Sequence, residues 1–399
     1  VIESANPLRA ALTRRPLLTA VAYTGMGVLP LFLVSTQILQ LEREIGFGVG
    51  RLGLATAAFF GSAALAANPA GRLVARVGPG RSLRIGSAIN VLACLLAGTA
   101  AVWWVLPIAT AVGGIANGVI QVASNLTIFD GVAVRRQGLG FGAKQASVPM
   151  AGVLAGISLP VIGLVFGWRW VFALAGVLAM TLALSAPRFD RTGSTTRIEG
   201  PIGRPSRALL LLALGGICGA MAGNGLSLFV VPSAVDIGIG EAAAGAVLAV
   251  CSFLVVLIRL FAGWTVDRRQ SIGLNEMAWM AGAGAVGAVV LMTTSTPGLY
   301  LVAMPIALLG AWGWPGIFFF TVVHSFPEFP ARASGLVLSS NLTGTVIGPL
   351  VVGAFAGRGN YPGAWLFVAI TSAIATVSFV ASKRLRQAPT ATPSGSSTT

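Results

Sequence analysis

Residues Gly53 to Arg76 read GLATAAFFGSAALAANPAGRLVAR, and residues Gly245 to Arg268 read GAVLAVCSFLVVLIRLFAGWTVDR. A single shift lays Gly53 on Gly245, Gly71 on Gly263, Val74 on Val266 and Arg76 on Arg268. Each copy is an apolar run closed by Gly and a short charged turn. A chain that repeats itself at about half its length is expected to be two similar bundles in tandem. The functional question is then what lies between the bundles.

The bundles belong in a bilayer. Hydrophobic residues make up 55% of the chain and charged residues 9%, against about 25% charged in soluble domains. The 52 glycines suit close helix packing in lipid. No segment shows the ten-residue alternation of a membrane β-barrel. The expected fold is therefore an all-α membrane protein with twelve transmembrane helices in two pseudo-symmetric six-helix bundles.

Measured against the ~20 apolar residues a span needs, the first six spans fall at 17–41, 50–73, 84–104, 106–133, 139–166 and 169–187. The second six fall at 208–234, 241–265, 273–294, 299–324, 333–357 and 363–382. The organisation that follows is an N-terminal bundle over 1–187, a loop over 188–207, a C-terminal bundle over 208–386 and a low-complexity tail over 387–399, disordered by composition. The N-terminal stretch lacks the shape of a signal peptide, because its arginines precede a full-length span. Cys94, Cys218 and Cys251 sit in apolar runs without metal or disulfide spacing, and read as packing residues.

Charge fixes the orientation. Of the 26 Lys and Arg residues, only Arg43, Arg51, Arg169 and Arg358 fall on one side of the predicted bilayer. The positive-inside rule then places both termini and the central loop in the cytoplasm, in a cell membrane of the bacterial inner or plasma type. The net charge of +15 is topological, and no nucleic-acid partner is needed to explain it.

The turn Gly71-Arg-Leu-Val-Ala-Arg-Val-Gly-Pro-Gly-Arg-Ser-Leu83 resembles the loop signature of the major facilitator superfamily, G-x-L-A-D-R-x-G-R-R-x-x-L. Gly71, Leu73, Arg76, Gly78 and Leu83 match, while Ala75 stands at the Asp position and Pro79-Gly80 replace part of the basic cluster. In the second copy Gly263, Asp267 and Arg268 match, and Thr265 and Gln270 depart. Gly167-Trp-Arg-Trp170 before the sixth span is similar to stretches common in such transporters. The resemblance implies alternating access about a central cavity lined mainly by spans 1, 4, 7 and 10. It also implies gating roles for Gly71, Arg76, Gly78, Gly263, Asp267 and Arg268. Asp130, near Arg135 and Arg136, is the candidate acid to replace the one missing at Ala75.

Candidate cavity residues follow. In span 4, Asn117, Gln121, Ser124 and Asn125 share one helical face; interhelical hydrogen bonding is the plainer account of such a stripe. Span 1 offers Tyr23, Gly27, Pro30 and Gln37 along a stripe, with Pro30 placed to kink the helix and free a carbonyl. Span 7 offers Asn224 and Ser227. Trp312 and Trp314, in Ala311-Trp-Gly-Trp-Pro-Gly316, sit deep in span 10, suited either to stacking on substrate or to core packing. Lys144 either snorkels to the surface or faces the cavity. Arg259 either meets an anionic group, which its fork matches, or ties down helix ends. His324, the only histidine, reads as a helix-end cap rather than a proton carrier, and Glu276 as an exposed acid at a helix start.

These residues suggest a secondary transporter for a small organic anion, such as a monocarboxylate, moved with protons. The alternative is efflux of amphipathic, drug-like compounds; a receptor or an intramembrane enzyme ranks last. No nucleophile–base pair, paired metal ligands or ATP-binding loop is evident, so neither enzymatic activity nor a cofactor is expected, and the protein is expected to act as a monomer.

Overall fold

The computed structural model describes residues 7–132, 137–186, 206–269, 273–326 and 330–387. All regular structure among them is helical. The first half holds α1 (Pro7–Thr36), α2 (Ile38–Ile45), α3 (Val49–Val77), α4 (Pro79–Gly98) and α5 (Val105–Gly131). It continues with α6 (Gln137–Ser158), which runs through a π-helical turn at Leu159–Gly163 into α7 (Leu164–Phe166), and then α8 (Trp168–Ser185). The second half holds α9 (Arg207–Ser227), α10 (Val230–Asp236), α11 (Glu241–Arg269) and α12 (Leu274–Thr293). It closes with α13 (Pro297–Gly313), α14 (Pro315–Ser325), α15 (Pro330–Ala356) and α16 (Tyr361–Gln387). Nearly all of the expected 188–207 loop, and the tail beyond Gln387, lie outside the described residues.

These segments make twelve rods. Eleven of them are long and apolar enough to cross a membrane. The twelfth is α4, which carries Arg81 and Arg84 near its start and buries Ser82, Ser87 and Asn90 along its inner face. It also lies earlier than its predicted 84–104. Gly78 holds φ 83°, a left-handed value suited to glycine, and Pro79 can start a helix at once because its missing N–H would have no helical partner. A helix of 20 residues then spans about 30 Å and is complete at Gly98, leaving Trp103 and Trp104 in an exposed turn.

The remaining departures from the sequence reading follow from helix breaks. The first span of each half ends early, at Thr36 and Ser227, and each is followed by a short helix, α2 or α10. Span 10 divides at Trp314, just before Pro315.

Proline also explains the polar contacts. A proline inside a helix cannot donate to the carbonyl four residues earlier, and an orphan carbonyl in lipid costs several kcal/mol. Two such carbonyls find a side-chain donor, and two more carbonyls are met by side chains at helix breaks. Pro30 frees Met26, which accepts from Asn90 Nδ2 at 2.8 Å. Pro149 frees Gln145, which accepts from Arg259 Nη1 at 2.6 Å. At the break between α9 and α10, the Leu228 carbonyl accepts from Ser35 Oγ at 2.5 Å. At the break between α13 and α14, the Ala311 carbonyl accepts from Trp314 Nε1 at 2.9 Å.

Asn90→Ala is therefore expected to cost about 1–3 kcal/mol by stranding the Met26 carbonyl. Pro30→Ala in the same chain restores a backbone donor and should recover most of that loss. Thermal unfolding of the two single variants and the double variant measures the coupling. Additive losses would contradict it.

Within each half, helices meet through glycine. Gly114 and Gly118 of α5 lie against the Phe59 and Ala63 carbonyls of α3, and Gly344 and Gly348 of α15 lie against Ile217 and Met221 of α9. Across the halves, α6 packs on α11 and α3 packs on α15. The tightest cross-contacts cluster at the end remote from Pro7 and Gln387, called here the distal end. There, a Cβ on Gly156 would sit 2.5 Å from the Gly245 carbonyl oxygen, and one on Gly53 would sit 2.6 Å from that of Pro349. Ser35 reaches Leu228 between the halves, and Arg43 pairs with Glu241. At the proximal end, a Cβ on Gly71 or Gly263 would meet nothing within 4 Å. The halves are thus drawn together distally, and the signature glycines stand in open space.

Candidate functional site

Between the halves, toward the proximal end, two buried cations occupy facing helices. Lys144 on α6 is 3% exposed and Arg259 on α11 is 2% exposed. The Lys144 Nζ donates to Gln121 Oε1 at 2.6 Å and to Asn125 Oδ1 at 2.5 Å. Gln121 and Asn125 are one turn apart on α5, so the polar face of span 4 becomes the cradle of the lysine. The ammonium has three donors, which leaves one beyond these two amides.

Arg259 is held differently. Its Nε and Nη2 donate to the Trp312 carbonyl at 3.2 and 2.7 Å. That carbonyl belongs to the last turn of α13, where helical donors run out. Nη1 crosses to the Gln145 carbonyl in the other half, the residue after Lys144. The guanidinium carbon also lies 5.1 Å from the centre of the Trp312 ring, and that ring meets Phe32 of α1 at 5.7 Å. Phe32, Trp312, Arg259 and Gln145 thus form a continuous bridge between the halves.

Among the described residues, neither cation meets a carboxylate. The ion pairs found there, Arg43–Glu241 and Arg169–Glu44, are both at the distal end. Neutral oxygens solvate a buried charge but do not cancel it. The Asn117 Oδ1, Ser124 Oγ and Ser252 Oγ atoms are also buried without a hydrogen-bond partner.

The other sequence candidates lie elsewhere. The Tyr23 hydroxyl donates to the Leu182 carbonyl at 2.6 Å, within the first half. Gln37 is fully buried between α1 and α2 against Gly163 of the π-turn, and both its amide atoms lack partners. Asn224 donates to Ala220 and Thr345, and Ser227 to Asn224, all within the second half. Trp314 sits in the second half's core, edge-on to Phe318 at 4.8 Å and against Gly219. Of the tryptophan pair, only Trp312 reaches the other half.

Among the expected gating residues, Arg76 and Asp130 are exposed at the proximal end. Arg268 lies 5.1 Å from the Trp264 ring. The side chains of Asp267 and His324, together with Arg135 and Arg136, lie outside the described residues. Sequence reasoning missed Phe32, Ser252 and the Gln145 carbonyl. Pro149, four residues after Gln145, was the available signal for the last.

Twelve helical rods in two halves, joined across α6–α11 and α3–α15, define a multi-pass membrane protein built like a two-bundle transporter. The profile of the Major Facilitator Superfamily matches residues 17–331, and the chain belongs to that superfamily. Its structure resembles a crystal structure of a bacterial homolog to the human lysosomal transporter Spinster, solved in an inward-facing and unoccupied conformation. That likeness has a TM-score of 0.71 at 16% identity and covers 95% of this chain and 99% of the other, which establishes the shared fold. Among curated proteins no relative matches this sequence. The protein is accordingly a membrane transporter of small molecules.

Proposed function

We propose that this transporter moves a small organic anion, of the monocarboxylate class, together with protons. The two bundles, 1–187 and 208–386, would rock about the site, with the proximal end and both termini in the cytoplasm. The carrying observation is the pair Lys144 and Arg259: two buried cations on facing helices from opposite halves, held by neutral oxygens. A carboxylate entering between them supplies the missing counter-charge and meets Arg259 as a fork. Asn117, Gln121, Ser124 and Asn125 would orient it. A proton carried with a monocarboxylate leaves the loaded site with no net change of charge, which suits a bilayer interior.

A second reading rests on Phe32 and Trp312, whose rings meet between the halves: an amphipathic, drug-like compound could stack there. Thermal unfolding of the purified protein separates the two. Lactate is expected to raise the unfolding midpoint by mass action, and Lys144→Ala with Arg259→Ala should abolish that rise. If the double variant keeps the lactate shift, the anion site is wrong. If only amphipathic amines stabilise the protein, the second reading stands.

A further inference from the structure

The distal end carries a cavity of about 500 Å³ that straddles the two halves. This is within the range of roughly 300–1,000 Å³ typical of small-molecule sites. Glu42 of α2 lines it from one half; Asp236 of α10 and Tyr361 of α16 line it from the other. Gly50 and Gly357, whose backbones nearly touch across the halves, form part of its wall.

The polar groups here are not spent on one another. Among the described residues, the carboxylates of Glu42 and Asp236 have no ion-pair or hydrogen-bond partner, and neither does the hydroxyl of Tyr361, a residue only 7% exposed. Arg51 also lines the cavity and keeps its charge there, although its donors are directed to its own half: it donates to the Gly46 carbonyl and lies 4.3 Å from the Trp103 ring centre. Of the neighbouring distal charges, Arg43 pairs with Glu241 and Arg169 with Glu44, while the exposed Arg358 follows Gly357 of the cavity wall.

We propose that this cavity binds a small aliphatic ammonium compound, which bridges Glu42 and Asp236 and holds the distal ends of the halves together. Closing this end brings two carboxylates from opposite halves onto a pocket that holds one guanidinium, Arg51, and the excess negative charge opposes closure. An ammonium group reverses the sign of that interaction. It can donate to both carboxylates and to the Tyr361 oxygen, since it carries three donors and no acceptor. Asp236 is exposed at the cavity mouth, and its partial desolvation lifts the carboxyl above its usual range.

The test uses the full-length protein in nanodiscs of uncharged lipid, with spin labels at Val102→Cys and Arg358→Cys on the distal surface of opposite halves. The native cysteines are buried. Adding 1,4-diaminobutane is expected to enrich the short-distance population and to raise the thermal midpoint. Glu42→Gln with Asp236→Asn should weaken the apparent affinity at least tenfold. Lys144→Ala with Arg259→Ala should still respond to 1,4-diaminobutane, with the response still weakened by Glu42→Gln and Asp236→Asn, which separates this site from the proposed anion site. No response of the wild type up to about 10 mM, a range that reaches beyond millimolar affinity, overturns the proposal. So does an undiminished response in the Glu42/Asp236 variant, or a response to magnesium alone.

Discussion

Gly156→Val is expected to leave both bundles folded and to reduce turnover at least tenfold. A Cβ at Gly156 would lie 2.5 Å from the Gly245 carbonyl oxygen and 2.7 Å from the Ala249 nitrogen. Both are backbone atoms of α11 and cannot rotate aside. Overpacking of this kind costs about 1–3 kcal/mol or more when the contact must be kept. Here it need not be kept, because Gly156 and Gly245 belong to opposite halves and the distal end can open instead. The distance between labels at Val102→Cys and Arg358→Cys should therefore lengthen, with little change in the thermal midpoint. A wild-type distance distribution with wild-type turnover would show that the contact is dispensable.

Gly118→Val makes the same chemical change inside one half, and the outcome should differ. A Cβ there would lie 2.8 Å from the Ala63 carbonyl oxygen and 3.1 Å from the Ala66 Cβ. Helices α3 and α5 are both core members of the first bundle, so no rigid-body opening relieves the clash. Small residues at such crossings let membrane helices approach, and their loss falls on stability itself. The expected result is a depressed thermal midpoint and low yield of folded protein, before any transport is measured. A normally folded Gly118→Val protein with only a shifted label distance would contradict this division between packing and gating glycines.

That division was half legible in the sequence. The repeat set Gly53 against Gly245, and in the fold these two play equivalent parts. Each is a close-approach point to the opposite half, on α15 and α6 respectively. The other repeated pair, Gly71 and Gly263, carries the family signature yet has no neighbour to accommodate. Gly78 is needed for its left-handed backbone. A repeat marks equivalent positions without saying which crossing uses them.

The site was legible as parts. Helical spacing put Gln121 and Asn125 on one face and Lys144 near the membrane boundary. That they meet depends on the register of α5 against α6, which no local pattern encodes. The tryptophans show the converse. Two residues apart on a helix point in nearly opposite directions, so only one of Trp312 and Trp314 could face the other half. Arg259 was visible as a charge in an apolar run. Its acceptors were not, although Pro149 and the break at Pro315 marked where carbonyls would be free.

The measurement that bears most directly on the anion site is lactate flux into proteoliposomes that trap a pH-sensitive dye. Wild-type protein should carry labelled lactate and acidify the lumen in step with it. Lys144→Ala with Arg259→Ala should lose both signals while remaining folded. Lactate flux in the folded double variant equal to that of the wild type would contradict the account.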